Sequence, residues 1–181
     1  MDKPQPPTTI AEGKRVRLVR RGDWEYVTRK KSSGIVAIVA VTDDGKLVLV
    51  EQCRPPVAKS VIELPAGLVG DEAGHEQEAL TDAARRELLE ETGYEASEMT
   101  FLTEGVPSAG ITDEIITLLR ATGLKKTGKG EGDGCEQITL HEVAVDRVPS
   151  WLEGQRNAGR LVDLKIYSGL CFLLRETERN G

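Results

Sequence analysis

Histidine is scarce in this chain. His75 and His141 are the only two, and neither has a second His at metal-ligand spacing. A His-based triad therefore has no obvious members, and both read as structural or surface residues. Cysteine is nearly as sparse. Cys53, Cys135 and Cys171 are odd in number, far apart and include no CxxC pair, which speaks against a disulfide framework and a zinc–thiolate site. They read as small buried thiols in a reducing cytoplasm. Long apolar runs are missing too: IVAIVAV (35–41) is the longest, far short of the ~20 residues of a membrane span. The opening MDKPQPPTT lacks the basic-then-apolar pattern of a signal peptide and reads as a proline-stiffened tail. A cytoplasmic protein without a membrane partner is expected. Finally, there is no basic surplus. A net charge of −6 argues against nucleic acid as a partner. An anionic small substrate remains open if local arginines and divalent cations invert the field at the site.

What is present is a one-domain length of 181 residues with 39% apolar content, enough for a sizeable core. The first half reads as strands. KRVRLVRR (14–21) and WEYVTRK (24–30) alternate around a Gly22-Asp23 turn. GIVAIVAV (34–41) is a buried strand by its continuous β-branched run, and Asp44-Gly45 turns the chain into LVLVEQ (47–52). CRPPV reads as a loop and VIELPAG (61–67) as one short strand. After the acidic LVGDEAGHEQ loop, EALTDAARRELLEETG (78–93) is the clearest helix, with Gly93 as its C-terminal cap. Strands follow at about 99–106, 114–121 and 136–143, with a long Gly-rich loop at 125–134. A short helix opens at PSWLEGQRN, where Ser150 and Glu153 form a candidate capping box. The last helix shows Leu164, Tyr167, Leu170, Cys171 and Leu174 at helical spacing. This order predicts an α/β/α sandwich around a mixed sheet.

The central helix is unusual in its charges. Glu87 and Glu91 lie one turn apart on one face, and Glu90 flanks it. Like charges at that spacing repel, and they crowd the helix C-terminus, where the macrodipole disfavours anions. A solvated charged face is the ordinary explanation of such a run. A bound divalent cation would reverse the sign of all these terms. Carboxylates without His or Cys suit a hard ion, Mg²⁺ or Mn²⁺, and magnesium commonly shares its shell with substrate phosphates. Glu78, counted on the same helix, falls about 180° from Glu87 and reads as a structural residue at the helix N-terminus.

Glu78, seven residues, then Arg86-Glu87-Leu88, Leu89, Glu90-Glu91, Thr92 and Gly93-Tyr94 complete the pattern E-x7-REUxEExGU. This resembles the Nudix box of hydrolases acting on nucleoside diphosphates linked to another moiety. The resemblance implies a Nudix-type α/β/α sandwich with divalent metal held by Glu87, Glu90 and Glu91 and by the backbone carbonyl of Ala66. The box normally opens with a glycine at the position occupied here by Glu72. The nearest glycines are Gly67 and Gly70, so the loop is longer by up to five residues. WEYVTRK, EQCRPPV, IELPAGLV and SAGITDE extend the resemblance over about residues 24 to 175, to the ADP-ribose and nucleoside-diphosphosugar pyrophosphatase branch. That branch implies a homodimer, with residues 1–33 as an N-terminal antiparallel strand extension serving dimerisation and residues 34–181 as the hydrolase domain. Trp24 matches the aromatic that stacks the nucleobase; a core strand residue is the competing reading. Arg54, stiffened by Pro55-Pro56, can fork onto a diphosphate. Glu63 can reach substrate or water, or pair with Arg54 or Arg86. Ser108-Ala109-Gly110 has Ala where ADP-ribose hydrolases carry Pro, which leaves ADP-ribose, ADP-sugars and GDP-mannose all open.

The expected reaction is Mg²⁺-dependent attack of water on the pyrophosphate, giving a nucleoside monophosphate and a sugar phosphate. The resemblance implies a base from the 125–136 loop. Glu136 matches best, with Glu131 and Asp133 in reserve. Arg85 and Arg86 are expected to brace the glutamates, Arg86 thereby belonging to the catalytic set. The competing readings are an RNA 5′-pyrophosphohydrolase or nucleotide-sanitising activity, and an inactive nucleotide-sugar sensor.

Overall fold

Both faces of the GIVAIVA strand are buried, and this organises the molecule. In the computed structural model, which describes residues 6–71, 74–130 and 137–180, β4 (Gly34–Ala40) sends Val36, Ile38 and Ala40 into one apolar cluster. Ala37 and Val39 enter a second, on the other face. Side chains alternate across a strand, so an unbroken aliphatic run needs a partner on each side. Around it are β1 (Thr8–Glu12), β2 (Val16–Arg21), β3 (Trp24–Arg29), β5 (Lys46–Arg54), β6 (Lys59–Glu63) and β7 (Ala66–Val69). The remaining strands are β8 (Tyr94–Gly105), β9 (Ile116–Lys126), β10 (Thr139–Ala144) and β11 (Leu161–Val162). Among the described residues three helices complete the set: α1 (Leu80–Thr92), α2 (Val148–Asn157) and α3 (Lys165–Asn180).

The strands form three sheets: antiparallel β1-β2-β3, then β10-β5-β6-β11 and β7-β4-β9-β8. Helix α1 covers one side through Ala83, Ala84 and Leu88. Helices α2 and α3 cover the other through Leu152, Ile166, Leu170 and Leu173. The expected layers are therefore present, but the single mixed sheet is two four-stranded ones. The division arises within IELPAG. The predicted single strand 61–67 is β6 in one sheet and β7 in the other, broken at Leu64-Pro65, where proline cannot donate to a ladder. The Pro65 carbonyl instead accepts the Ile38 amide at 2.8 Å.

Other boundaries also move. The tail contains β1, paired with β2 from Thr8↔Arg20 to Glu12↔Arg17. Cys53 and Arg54 belong to β5, and a single 3-10 turn follows at Pro55–Val57. Strand β9 runs through Lys126, past the expected loop start at 125, because β8 pairs with it from Tyr94↔Lys126 onward. The capping box does not form. Pro149 presets the first turn, α2 begins at Val148, and Ser150 lies inside it, donating to the Arg147 carbonyl at 3.0 Å. On α3 the buried stripe is Ile166, Leu170 and Leu173, while Tyr167, Cys171 and Leu174, with Leu164 just before the helix, are exposed. Gly169 decides this. A Cβ there would lie 3.0 Å from Val39 Cγ2, so the helix approaches β4 on its glycine side. Cys53 and Cys171 are exposed thiols, not buried ones; Cys135 lies outside the described residues. No described helix is long and apolar enough to cross a membrane.

Candidate active site

Helix α1 ends where its sequence demands. Gly93 takes φ +72°, and its amide donates to the Leu89 carbonyl at 2.8 Å. The chain returns to this point after β9. Thr127 and Gly128 amides donate to the Gly93 carbonyl at 2.9 and 3.1 Å. Gly130 comes so close that a Cβ on it would be 2.6 Å from the Glu91 carbonyl oxygen. The last two turns of α1 thus border a cleft of about 440 Å³, lined from α1 by Arg86, Glu87, Glu90 and Glu91. Strands β5 to β7 supply Arg54, Glu63, Ala66 and Gly67.

Arg86 organises the carboxylates. Its guanidinium donates to Glu78 Oε1 at 3.0 Å, to Glu87 Oε1 at 2.8 Å, to Glu90 Oε2 at 3.3 Å and to the Leu68 carbonyl at 3.1 Å. Burial works against its charge, but Glu78 and Glu87 outweigh that and push its pKa further up. Glu78 lies before the helix, not on it. It folds back so that its carboxylate takes both Arg86 and the Gly70 amide, the latter at 3.2 Å. Burial raises its pKa, yet these two bonds hold it below the usual range. Gly70, at φ +74°, makes this tight turn possible. Glu72, at the position where the box ordinarily has glycine, lies outside the described residues. Arg85 does not brace the glutamates: it donates to the Ala96 and Ser97 carbonyls on β8.

Glu87 and Glu91 are buried more deeply than their partners compensate. Burial pushes Glu87 up to about 7, against Arg86, with Glu90 and Asp71 adding to the rise. Burial pushes Glu91 up to about 8, against the Ala66 amide, which donates to Glu91 Oε2 at 3.0 Å; Glu87 adds to the rise. Gly67 is required beneath Glu87, since a Cβ at 67 would fall 1.8 Å from Glu87 Cδ. As the side chains stand, no three His, Cys, Asp or Glu groups among the described residues converge on one point; Arg86 draws Glu87 and Glu90, and Ala66 holds Glu91. The donor set is all-oxygen and its buried members need a cation, so it fits a hard divalent ion. Such an ion would take over the neutralisation that Arg86 gives Glu87 and Glu90.

Arg54 and Glu63 form the ion pair that the sequence left open, Nε to Oε2 at 2.6 Å. Burial raises the Glu63 pKa, and Arg54 only partly offsets it. Trp24 is not a core residue. It is 67% exposed, outside the cleft lining, and packs beside Gly110 of SAGITDE. Glu136, Glu131 and Asp133 fall outside the described residues. The chain on either side of them is at the site: Gly130 against Glu91, and Ile138 in the cleft lining.

The sequence reading missed Arg15, Arg29, Asp71, Glu114 and Lys165, all of which line the cleft. Arg29 Nε donates to Glu114 Oε1 at 2.6 Å across 85 residues of chain. The Val27 amide bonds the Ile111 carbonyl at 2.9 Å beside it. Arg29 lies within WEYVTRK and Glu114 within SAGITDE, but only the tertiary pairing joins the two segments.

Comparisons place this arrangement. The NUDIX domain model matches residues 32–158, more than half of the chain. The "Methanol dehydrogenase activator" of Bacillus methanolicus is 40% identical over 124 residues, covering 68% of this chain and 64% of that protein. The "ADP-ribose pyrophosphatase" of Bacillus subtilis (strain 168) is 40% identical over 117 residues, covering 64% and 60%. The match thus spans less than two thirds of either relative. A solved structure, "Crystal structure of ADP compounds hydrolase", superposes with a TM-score of 0.69 at 22% identity, covering 99% of this chain and 98% of the other; at that identity the likeness speaks for the fold. With more than half of its length matched by the domain and the carboxylate helix in place, the chain belongs to the Nudix family.

Proposed function

We propose that the protein is a Mg²⁺-dependent pyrophosphatase of nucleoside diphosphate sugars, releasing a nucleoside monophosphate and a sugar phosphate. The carrying observation is one cleft in which two carboxylates whose burial outweighs their partners, Glu87 and Glu91, share walls with Arg29, Arg54 and Lys165. The carboxylates suit a hard cation and the basic side chains suit phosphate oxygens, so the cleft matches a cation and a diphosphate bound side by side. The Bacillus subtilis relative, named for ADP-ribose, supports a diphosphosugar as substrate. Bound through Glu87, Glu90, Glu91 and the Ala66 carbonyl, Mg²⁺ (or Mn²⁺ in its place) would neutralise the diphosphate and activate water for attack.

The chain's own groups supply the rest. Arg54, held by Glu63, and Arg29, held by Glu114, present guanidinium edges to phosphate oxygens. Arg86 fixes the glutamates rather than touching substrate. Trp24, exposed at the edge of the N-terminal sheet, offers a face for the nucleobase. Glu136, two residues before Ile138 of the cleft, is assigned as the base that takes the proton from water. In a panel of ADP-ribose, ADP-glucose, GDP-mannose, UDP-glucose, capped RNA and oxidised nucleoside triphosphates with Mg²⁺, at least one diphosphosugar is expected to turn over fastest. Glu136→Gln should slow it by roughly 10²–10⁴-fold with unchanged Mg²⁺ binding. Turnover confined to RNA or triphosphates, or to none of the panel, overturns the reading.

The working form is assigned as a homodimer in the cytoplasm, with residues 1–33 as the dimerising extension. Supporting this, Ile10, Trp24, Ile111 and Ile115 are exposed on or near the β1–β3 sheet. Cys53 and Cys171 are exposed thiols that suit a reducing compartment. Light scattering should give the mass of two chains for the full protein and of one chain after removal of residues 1–33. A one-chain mass for the full protein removes the assignment.

A further inference from the structure

Lys165 stands where two cavities meet. It lines the catalytic cleft, and it also lines a neighbouring groove of about 550 Å³ with mainly apolar walls from Val106, Leu118, Val162 and Leu164. Pro107 and Ile116 are the other two residues common to both. The groove therefore borders the cleft, and Lys165 stands at the boundary between them.

The fold places that lysine with care. Strand β11 lies parallel to β6 in the register Leu161↔Val61 and Val162↔Ile62. The C-terminal ends of the two strands emerge together, one carrying Glu63 and the other Asp163 and Lys165. The Asp163 amide donates to the Ile62 carbonyl at 2.9 Å. The Asp163 carboxylate accepts the Lys165 amide at 2.7 Å, capping α3, and it also accepts the Lys165 ammonium. A long, flexible side chain is thus held at its root and at its charged end. An ammonium has three donors; Asp163 accounts for one of them. A lysine needed only to neutralise Asp163 has no reason to border both cavities.

We propose that Lys165 binds the substrate phosphate that leaves with the distal, non-nucleoside moiety, and that the adjoining groove receives that moiety. This rests on the pyrophosphatase reading above. The nucleoside end of the substrate is assigned to the N-terminal sheet, near Trp24, Arg29 and Glu114. Arg54 ends β5 and Lys165 opens α3 three residues after β11, so both come from chain next to the β10-β5-β6-β11 sheet and not from the sheet that carries Trp24 and Arg29. A diphosphate crossing the cleft therefore presents its distal phosphate to Lys165. A sugar beyond it would lay its C–H-rich face against Val106, Leu118 and Val162. Asp163 acts as the positioning residue for Lys165.

The test separates the two products of hydrolysis. Calorimetry with Mg²⁺ would measure AMP and ribose 5-phosphate binding to the full protein, to Lys165→Met, to Lys165→Arg and to Asp163→Asn. Lys165→Met should weaken ribose 5-phosphate roughly 10- to 100-fold and leave AMP within about twofold. Lys165→Arg should retain most of the affinity, since the charge is kept. Asp163→Asn, which preserves the helix cap, should give a smaller loss with the same selectivity for the sugar phosphate. With ADP-ribose as substrate, the Lys165→Met loss should fall on KM more than on kcat. No ribose 5-phosphate binding by the unaltered protein, an unchanged affinity in Lys165→Met, or equal weakening of both products would each overturn the assignment. Failure to hydrolyse any diphosphosugar overturns the pyrophosphatase reading instead, because the binding contrast does not depend on turnover.

Discussion

Replacing Glu91 by Gln is expected to abolish turnover and, in the same protein, to raise the stability of the metal-free fold at pH 8. The two effects have one cause. Glu91 is buried beside Glu87 with the Ala66 amide as its bonded partner, and its pKa is pushed up to about 8. A carboxyl whose folded pKa lies above its unfolded value binds more protons in the folded state. Its stabilising contribution is full below about pH 4.5 and is lost as pH rises through the folded pKa. Glu87, pushed up to about 7, behaves the same way. Metal-free protein should therefore be less stable at pH 8 than at pH 5.

Glutamine removes the Glu91 share of that penalty and can still accept the Ala66 amide. The gain should be on the order of 2 kcal/mol at pH 8, or about 4–8 °C in melting temperature for a chain of this size. It should vanish near pH 4.5. Activity should fall at least ~10³-fold, equivalent to ~4 kcal/mol of transition-state stabilisation. Thermal melts with and without EDTA across pH 5–8, beside rate measurements, check both arms. A Glu91→Gln protein that is less stable than the parent at pH 8, or one with near-normal rates, contradicts the assignment of Glu91 as a strained metal ligand.

Gly67→Ala is expected to separate activity from stability in a different way. The methyl group would occupy the place of the Glu87 carboxyl group, 1.8 Å from Cδ and 1.9 Å from Oε1. Gly67 does not have a positive φ, so alanine meets no backbone strain there. The obstacle is the far end of one flexible side chain, which can swing away. Stability should change by less than about 1 kcal/mol, because no packed core group has to move. The cost falls on the site. A carboxylate displaced by an ångström or more loses its productive geometry, and the rate should drop about 10²-fold or beyond. A rate within threefold of the parent, measured at saturating Mg²⁺, would show that Glu87 does not need its place over Gly67.

These two residues also show how the sequence could and could not be read. Glu91 was legible because α1 is a regular helix: spacing alone places Glu87 and Glu91 on one face, and charge alone makes that face unfavourable without a cation. Gly67 was visible only as a candidate for the displaced box glycine. Its purpose depends on Glu87, twenty residues later, arriving over it. Glu78 was assigned to the helix and proved to be a loop residue that bonds Arg86, because helix periodicity says nothing about a chain that folds back before the helix starts. Arg85 and Arg86 are adjacent and chemically identical, yet one serves β8 and the other the glutamates. On a helix, neighbours point about 100° apart, and only the packing of α1 decides which face meets the cleft.

The strands follow the same division. IVAIVAV announced burial on both faces, and LVLVEQ announced a neighbouring strand. The split of IELPAG between two sheets did not show, since proline marks a break but not the partner on either side. Of the expected stripe Leu164, Tyr167, Leu170, Cys171 and Leu174, only Leu170 is buried, because the others share the helical period with Ile166, Leu170 and Leu173. Gly169, lacking a side chain, lets the second stripe approach Val39.

By itself, the sequence determined the succession β2 to β5, the carboxylate helix with its glycine cap and the anionic face of that helix. These are local properties, fixed by period, propensity and charge spacing within a few turns of chain. The tertiary structure decided what surrounds that face: Arg29 on Glu114, Arg54 on Glu63, Asp163 on Ile62, and Trp24 exposed beside Gly110. Each of those pairs joins separate segments, and which of them meet depends on how the sheets and three helices close around their cores.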